Sequence, residues 1–236
     1  MAAVQRLVDH TLQTFGRIDV LVNNAAYPHG HDRVPVPELE EAVWHQLLAI
    51  KLTGSFLLCK RIVPMMLHQR WGRIINLSSV FGKQGGANTA AYCTANFGIQ
   101  GFTQALTLEV ARHGITVNAV CPGTVDTARM DGLGRGESWQ QTIESISMGR
   151  PASAEEVAGL IAFLCSAAAY IAGLRPTLPV FRTFEPTENV LPGDAASPFA
   201  ISRANGVIRV LAREDFRNHA PSLRMFRLSA IRICPR

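Results

Sequence analysis

Ser79 and Tyr92 form a pair able to work on a carbonyl group. Ser79 ends the run Arg73-Ile-Ile-Asn-Leu-Ser-Ser79, and Tyr92 begins Tyr92-Cys-Thr-Ala-Asn96. Ile74 to Leu77 has the short, mainly apolar pattern of a buried parallel strand. The two serines therefore fall at its C-terminal end, where open α/β sheets form their ligand crevice. Tyr92 lies near the start of the helical pattern that follows. A strand-end hydroxyl can then meet a phenol on the neighbouring helix, one polarising the carbonyl oxygen and the other protonating it. Asn96 follows one turn later on the same helical face.

Two further strand patterns end in turns with polar or conformationally special residues. Ile18-Asp-Val-Leu-Val22 leads into Asn23-Asn24-Ala25-Ala26, and Ile115-Thr-Val-Asn-Ala-Val-Cys121 leads into Pro122-Gly123-Thr-Val-Asp-Thr127. With the Ser79 and Tyr92 motifs, these turns resemble the short-chain dehydrogenase/reductase family over about Arg6 to Gly173. The resemblance implies an α/β fold, a partial doubly wound Rossmann-type parallel sheet, and hydride transfer between NAD or NADP and a small carbonyl or alcohol substrate. It implies that Ser79 steadies the carbonyl and Tyr92 is the acid/base. It also gathers Asn23, Ala25, Tyr92, Pro122, Gly123 and Thr127 around the nicotinamide, with Thr127 bonding the carboxamide.

The chain departs from the family pattern at two linked positions. The family has a lysine four residues after the tyrosine, where this chain has Asn96, and an asparagine in the preceding long helix, where this chain has Lys51. In the family the two are joined through water. Lys51 and Asn96 are therefore both candidate catalytic residues, either exchanging roles or marking lost activity, with Lys51 then snorkelling along its helix. No Gly-x-x-x-Gly-x-Gly occurs in the 236 residues. That turn lets the backbone approach the pyrophosphate and aims a helix N-terminus at it, so an N-terminally truncated member with weak NAD or NADP binding is expected. A second reading is a non-enzyme acting through a helix-mediated protein interface.

The elements that must position these residues follow from periodicity. Residues 2–15 read as an amphipathic helix, 38–69 as one long helix kinked at Pro64, and 88–113 as a second long helix. In the family the first long helix pairs with its copy, which implies a homo-oligomer. Residues 128–149 read as a mobile lid over the substrate, and Ser153-Ala-Glu-Glu156 as a capping box starting a helix to Ala168. Residues 1–173 are expected to form the partial Rossmann domain. Residues 174–236 form a divergent tail rich in proline and arginine, expected to be poorly ordered, with 200–216 able to form a strand or helix.

Composition narrows the partners. The formal charge of +5 invites a nucleic-acid reading, but acidic and basic residues balance through Gly173 and the excess lies beyond it, mixed with Glu185, Glu188, Glu214 and Asp215. No nucleic-acid partner is expected. The uncharged run 157–173 is alanine- and glycine-rich and falls short of a membrane span. The five cysteines are scattered singly without an export signal, which predicts reduced thiols and a cytoplasmic protein. His29 and His31 alternate in a loop without a third ligand, so no metal is expected.

Overall fold

The computed structural model describes residues 2–27, 30–127, 130, 136–169, 171–173, 199–204 and 207–212. The chain divides into two units, Met1–Phe181 and Arg182–Arg236. In the first, β1 (Val20–Asn23), β2 (Gly72–Leu77) and β3 (Ile115–Val120) form a parallel sheet in sequence order. Asn23 pairs with Asn76, and Leu77 with Val120, so the three C-terminal ends lie side by side.

Every residue of β2 and β3 is buried, which requires cover on both faces. The helices supply it. On one face Ile74 and Val117 pack with Val8 of α1 (Ala2–Phe15), Cys59 and Met66 of α3 (Gly54–Gln69), and Leu106 of α4 (Ala90–Val110). On the other, Ile75, Leu77 and Val120 pack with Val157 and Leu164 of the later helix Ala154–Cys165. Alternate residues of one strand thus feed two cores, as pleating demands. The turn into β3 needs Gly114, whose φ is +77° and whose added Cβ would stand 2.5 Å from the Arg70 carbonyl oxygen.

The long helix expected over 38–69 is three pieces. A 3₁₀ turn covers Val36–Glu38, α2 spans Glu41–Leu48, and a π turn over Ala49–Thr53 precedes α3. Gly54 N–H reaches back five residues to the Ala49 carbonyl. The irregularity expected at Pro64 lies instead at the π turn around Lys51, and Pro64 sits inside α3. A single widened turn is too short to stand out between two stretches of helical spacing, so periodicity does not reveal it.

The second long helix, α4, runs from Ala90 to Val110 and tightens into a 3₁₀ turn over Ala111–His113. Within the expected lid, α5 spans Glu137–Ser145; residues 128, 129 and 131–135 lie outside the described residues. The helix Ala154–Cys165, α6, has the expected capping box. Ser153 Oγ accepts from Glu156 N–H at 3.2 Å, and the Glu156 carboxylate accepts from Ser153 N–H at 2.8 Å. It ends at Cys165, three residues before the expected Ala168.

In the second unit, Phe199–Ala204 (β4) and Val207–Ala212 (β5) form an antiparallel hairpin. Within the expected element over 200–216, the described residues are thus a strand pair. Residues 174–198 and 213–236 lie outside the described residues.

Candidate active site

The site is assembled from strand ends and from α4. Beyond β2, Ser78 N–H donates to the Val120 carbonyl at 2.7 Å and Val80 N–H to the Pro122 carbonyl at 3.0 Å, tying the Ser78–Ser79 segment to the Pro122–Gly123 turn. A 3₁₀ turn over Val80–Gly82 follows, capped by Ser79. Ser79 Oγ accepts from Phe81 N–H at 3.2 Å, which fixes the oxygen and leaves the hydroxyl proton for another acceptor. The Phe81 ring then meets the Tyr92 ring edge-on, with centroids 6.1 Å apart. Ser79 and Tyr92 are thus joined through Phe81.

Close packing holds α4 against this turn. A Cβ on Gly82 would lie 2.5 Å from Ser78 Oγ and 2.7 Å from the Asn96 carbonyl oxygen, so only glycine admits that approach. Ser78 Oγ donates to the same carbonyl at 3.0 Å, and Gln100 Nε2 donates to Ser78 Oγ at 3.3 Å.

Asn96 is 1% exposed. Its Nδ2 donates to the Tyr92 carbonyl at 2.8 Å, while its Oδ1 is buried with no hydrogen-bond partner among the described residues. A buried acceptor without a donor costs about 1–3 kcal/mol. Asn23 shows the same imbalance: its Nδ2 donates to Asn76 Oδ1 at 2.8 Å, and its Oδ1 is unpartnered. Two buried acceptors beside a strand-end crevice suit a ligand bearing hydroxyl or amide donors, which a nicotinamide riboside does.

The remaining predicted residues divide by burial. Lys51 is 7% exposed within the π turn, whose carbonyl at Lys51 accepts from Ser55 Oγ at 2.7 Å. The π turn packs on α4, with Gly98 making room for Leu52. Lys51 and Asn96 therefore stand on adjoining elements. Pro122 and Gly123 are half-buried, and Ala25 and Thr127 are exposed at the ends of the segments leaving β1 and β3.

Several residues that sequence reasoning did not single out complete the site. Asn76 lies inside β2, and its Nδ2 donates to Thr103 Oγ1 of α4 at 2.8 Å. Asn76 follows two isoleucines before Leu77 and the serines, and a polar residue inside so apolar a strand was a usable signal. Arg33, on the loop after β1, lays its guanidinium over the Tyr92 ring, 4.1 Å from the centroid, and 5.5 Å from that of Phe81. Nothing in the local sequence signals that stacking.

Burial disfavours the thiolate form of Cys59 and pushes the pKa of its thiol up to about 12, against a smaller opposing effect of the Asn23 amide. Among the described residues, no three His, Cys, Asp or Glu side chains gather as a metal site, and His29 lies outside those residues. No helix among them is long and apolar enough to cross a membrane.

Comparison with known proteins bears on this geometry. Residues 1–175 match a family model described as Enoyl-(Acyl carrier protein) reductase. The chain is 41% identical over 172 residues to a 3-oxoacyl-[acyl-carrier-protein] reductase of Synechocystis sp., an alignment covering 72% of this chain and 67% of the relative. Among solved structures, levodione reductase superposes with a TM-score of 0.70 at 29% identity, covering 75% of this chain and 71% of the other. NAD+-bound xylitol dehydrogenase gives 0.69 at 30% identity, covering 76% and 74%. The chain spans roughly two thirds of the length of the curated relatives it matches.

Proposed function

The chain belongs to the short-chain dehydrogenase/reductase family, and from that premise we propose that it is an oxidoreductase moving hydride between NAD or NADP and a small carbonyl or alcohol substrate. The observation that carries this reading is the meeting of Ser79, Phe81 and Tyr92 beside Asn96, where the ends of three parallel strands converge. Relatives named for 3-oxoacyl and levodione reduction and for xylitol dehydrogenation support the substrate class.

In this mechanism the Ser79 hydroxyl keeps its proton and donates a hydrogen bond to the substrate oxygen, and its own oxygen is steadied by the Phe81 N–H. Tyr92 delivers a proton to the same oxygen in reduction and takes one away in oxidation. A bound nicotinamide supplies or accepts the hydride. Asn96 Oδ1 would accept from the ribose, Asn23 and Ala25 would border the ring with Pro122 and Gly123, and Thr127 would hold the carboxamide. Lys51, buried one element away, is the chain's candidate source of the positive charge that Asn96 does not supply.

The residues present fit the nicotinamide half of NAD or NADP. Without the glycine-rich turn in these 236 residues, the pyrophosphate loses its main cradle. Dissociation constants no tighter than about millimolar are expected for NADH and NADPH. We also assign a cytoplasmic location, from the scattered thiols, and a homo-oligomer built on the α2–α3 region.

The test is consumption of NADH or NADPH by the purified full chain with a panel of ketones and β-keto esters. Tyr92-dependent turnover is expected. Its absence at saturating nucleotide would overturn the assignment, and micromolar nucleotide binding would overturn the weak-binding part.

A further inference from the structure

The loop after β1 brings a cation to the reacting phenol. Arg33 is 29% exposed at its side chain, and its guanidinium carbon lies 4.1 Å from the Tyr92 ring centroid. Phe81, edge-on to Tyr92, closes another side at 5.5 Å. Three separate segments therefore converge on one planar cation: the loop after β1, the turn after β2, and the first turn of α4. Stacking of a guanidinium on aromatic faces fixes its plane.

The hydrogen-bonding capacity of that cation is largely unspent. Its one charged contact among the described residues is Nε to Asp32 Oδ2 at 3.5 Å, beyond good hydrogen-bond distance. Asp32 is fully buried, and neither of its carboxylate oxygens has a hydrogen-bond partner among the described residues. The carboxylate therefore sets the orientation of the guanidinium through charge at the Nε edge. The two terminal amino groups donate to no described residue. An arginine needs five donors satisfied, and its terminal pair matches the two oxygens of a carboxylate or phosphate.

We propose that Arg33 is a specificity-determining residue that anchors an anionic group of the substrate, so that the preferred substrates are carbonyl or alcohol compounds bearing a carboxylate or phosphate a few bonds from the reacting oxygen. This rests on the reading of Ser79 and Tyr92 as the pair that holds that oxygen. Because the guanidinium sits on the ring of Tyr92 itself, an anion held by it brings the rest of a short molecule to the phenol. A neutral substrate of the same skeleton gains nothing from it. Asp32 tempers the cation without removing it, since it occupies only the Nε side.

The experiment compares acetoacetate with ethyl acetoacetate, which share the ketone and differ in the charge. Binding to the full chain is measured by ligand-observed NMR, independently of turnover, for the unaltered protein, Arg33→Gln and Arg33→Lys. Acetoacetate should bind more tightly than its ester. Arg33→Gln should weaken acetoacetate by about 10- to 100-fold, and the ester by less than about twofold. Arg33→Lys, which keeps the charge and loses the fork, should fall between the two. Added salt should weaken the acid alone.

Equal binding of acid and ester by the unaltered chain, no binding of either, or an equal loss of both in Arg33→Gln would overturn the proposal. The last of these would make Arg33 a structural pin for Tyr92. A thermal midpoint measured on each variant separates unfolding from lost recognition, and Arg33→Lys provides the folded comparison. Charge-selective binding with no nicotinamide consumption on either compound would leave Arg33 as an anion anchor and sink the oxidoreductase reading instead.

Discussion

Two polar clusters lie within a few residues of each other in this molecule, and they differ in completeness. Inside the sheet, Asn76 is satisfied at both ends, accepting from Asn23 and donating to Thr103, which in turn donates to the Ile99 carbonyl. At the rim, Asn23 Oδ1 and Asn96 Oδ1 are equally buried and have no donor among the described residues. Burial without a partner costs free energy that a purely structural residue has no reason to bear. The completed cluster joins strand to helix. The incomplete one has the form of a site that a ligand finishes.

The sharpest way to break this comparison is at Tyr92. Tyr92→Phe removes the proton donor and keeps the ring that meets Phe81 and Arg33, so turnover should fall by about 10²–10⁴-fold with little change in urea midpoint. A rate that survives would remove the phenol from the chemistry.

Next in size is the contrast between Asn76→Leu and Asn96→Leu. The first strands the Asn23 amide, at about 1–3 kcal/mol, and takes from the Thr103 hydroxyl the bond it accepts while leaving the one it donates to the Ile99 carbonyl. The second removes an acceptor that had no protein partner, together with one bond to the Tyr92 carbonyl, and should cost under about 1.5 kcal/mol. Urea unfolding of the two variants reads the difference directly. Equal destabilisation would mean that the rim is as structural as the interior.

A smaller effect concerns charge. Asn96→Lys places a cation one turn from Tyr92 and should raise turnover by at least about tenfold. If Lys51 already supplies that charge, Lys51→Asn alone abolishes turnover and the double change Lys51→Asn with Asn96→Lys restores it. Rates for the three variants across pH distinguish these outcomes.

The smallest effect lies away from the site, in a group whose partners are complete but solvated. Arg150 holds the Glu156 carboxyl down at about 2, helped by the Ser153 N–H. A depressed carboxyl stabilises the fold above its unfolded pKa, near 4.3, and that contribution fades as pH falls through about 2. Glu156→Gln should therefore flatten the acid limb of stability over that window while leaving neutral-pH stability almost unchanged, as exposed ion pairs are weak. A steep acid limb in the variant would move its origin elsewhere.

Much of the architecture was legible in the chain because it depends on local patterns. Short, mainly apolar runs leading into Asn23, Ser79 and Pro122 pointed to parallel strands covered on both faces, and Ser153 with Glu156 pointed to a helix start. These are properties of neighbours in sequence. The π turn at Lys51 was not legible, because one widened turn is too short to stand out between two stretches of helical spacing. Nor was the stack of Arg33 on Tyr92, which joins a loop to a helix across nearly the whole of the first long helical segment and β2. The sequence by itself determined which residue types stand at the strand ends and that lysine is replaced by Asn96. Only the tertiary structure decided which of their polar atoms are left without partners, because hydrogen-bond satisfaction and burial are settled by residues distant in the chain.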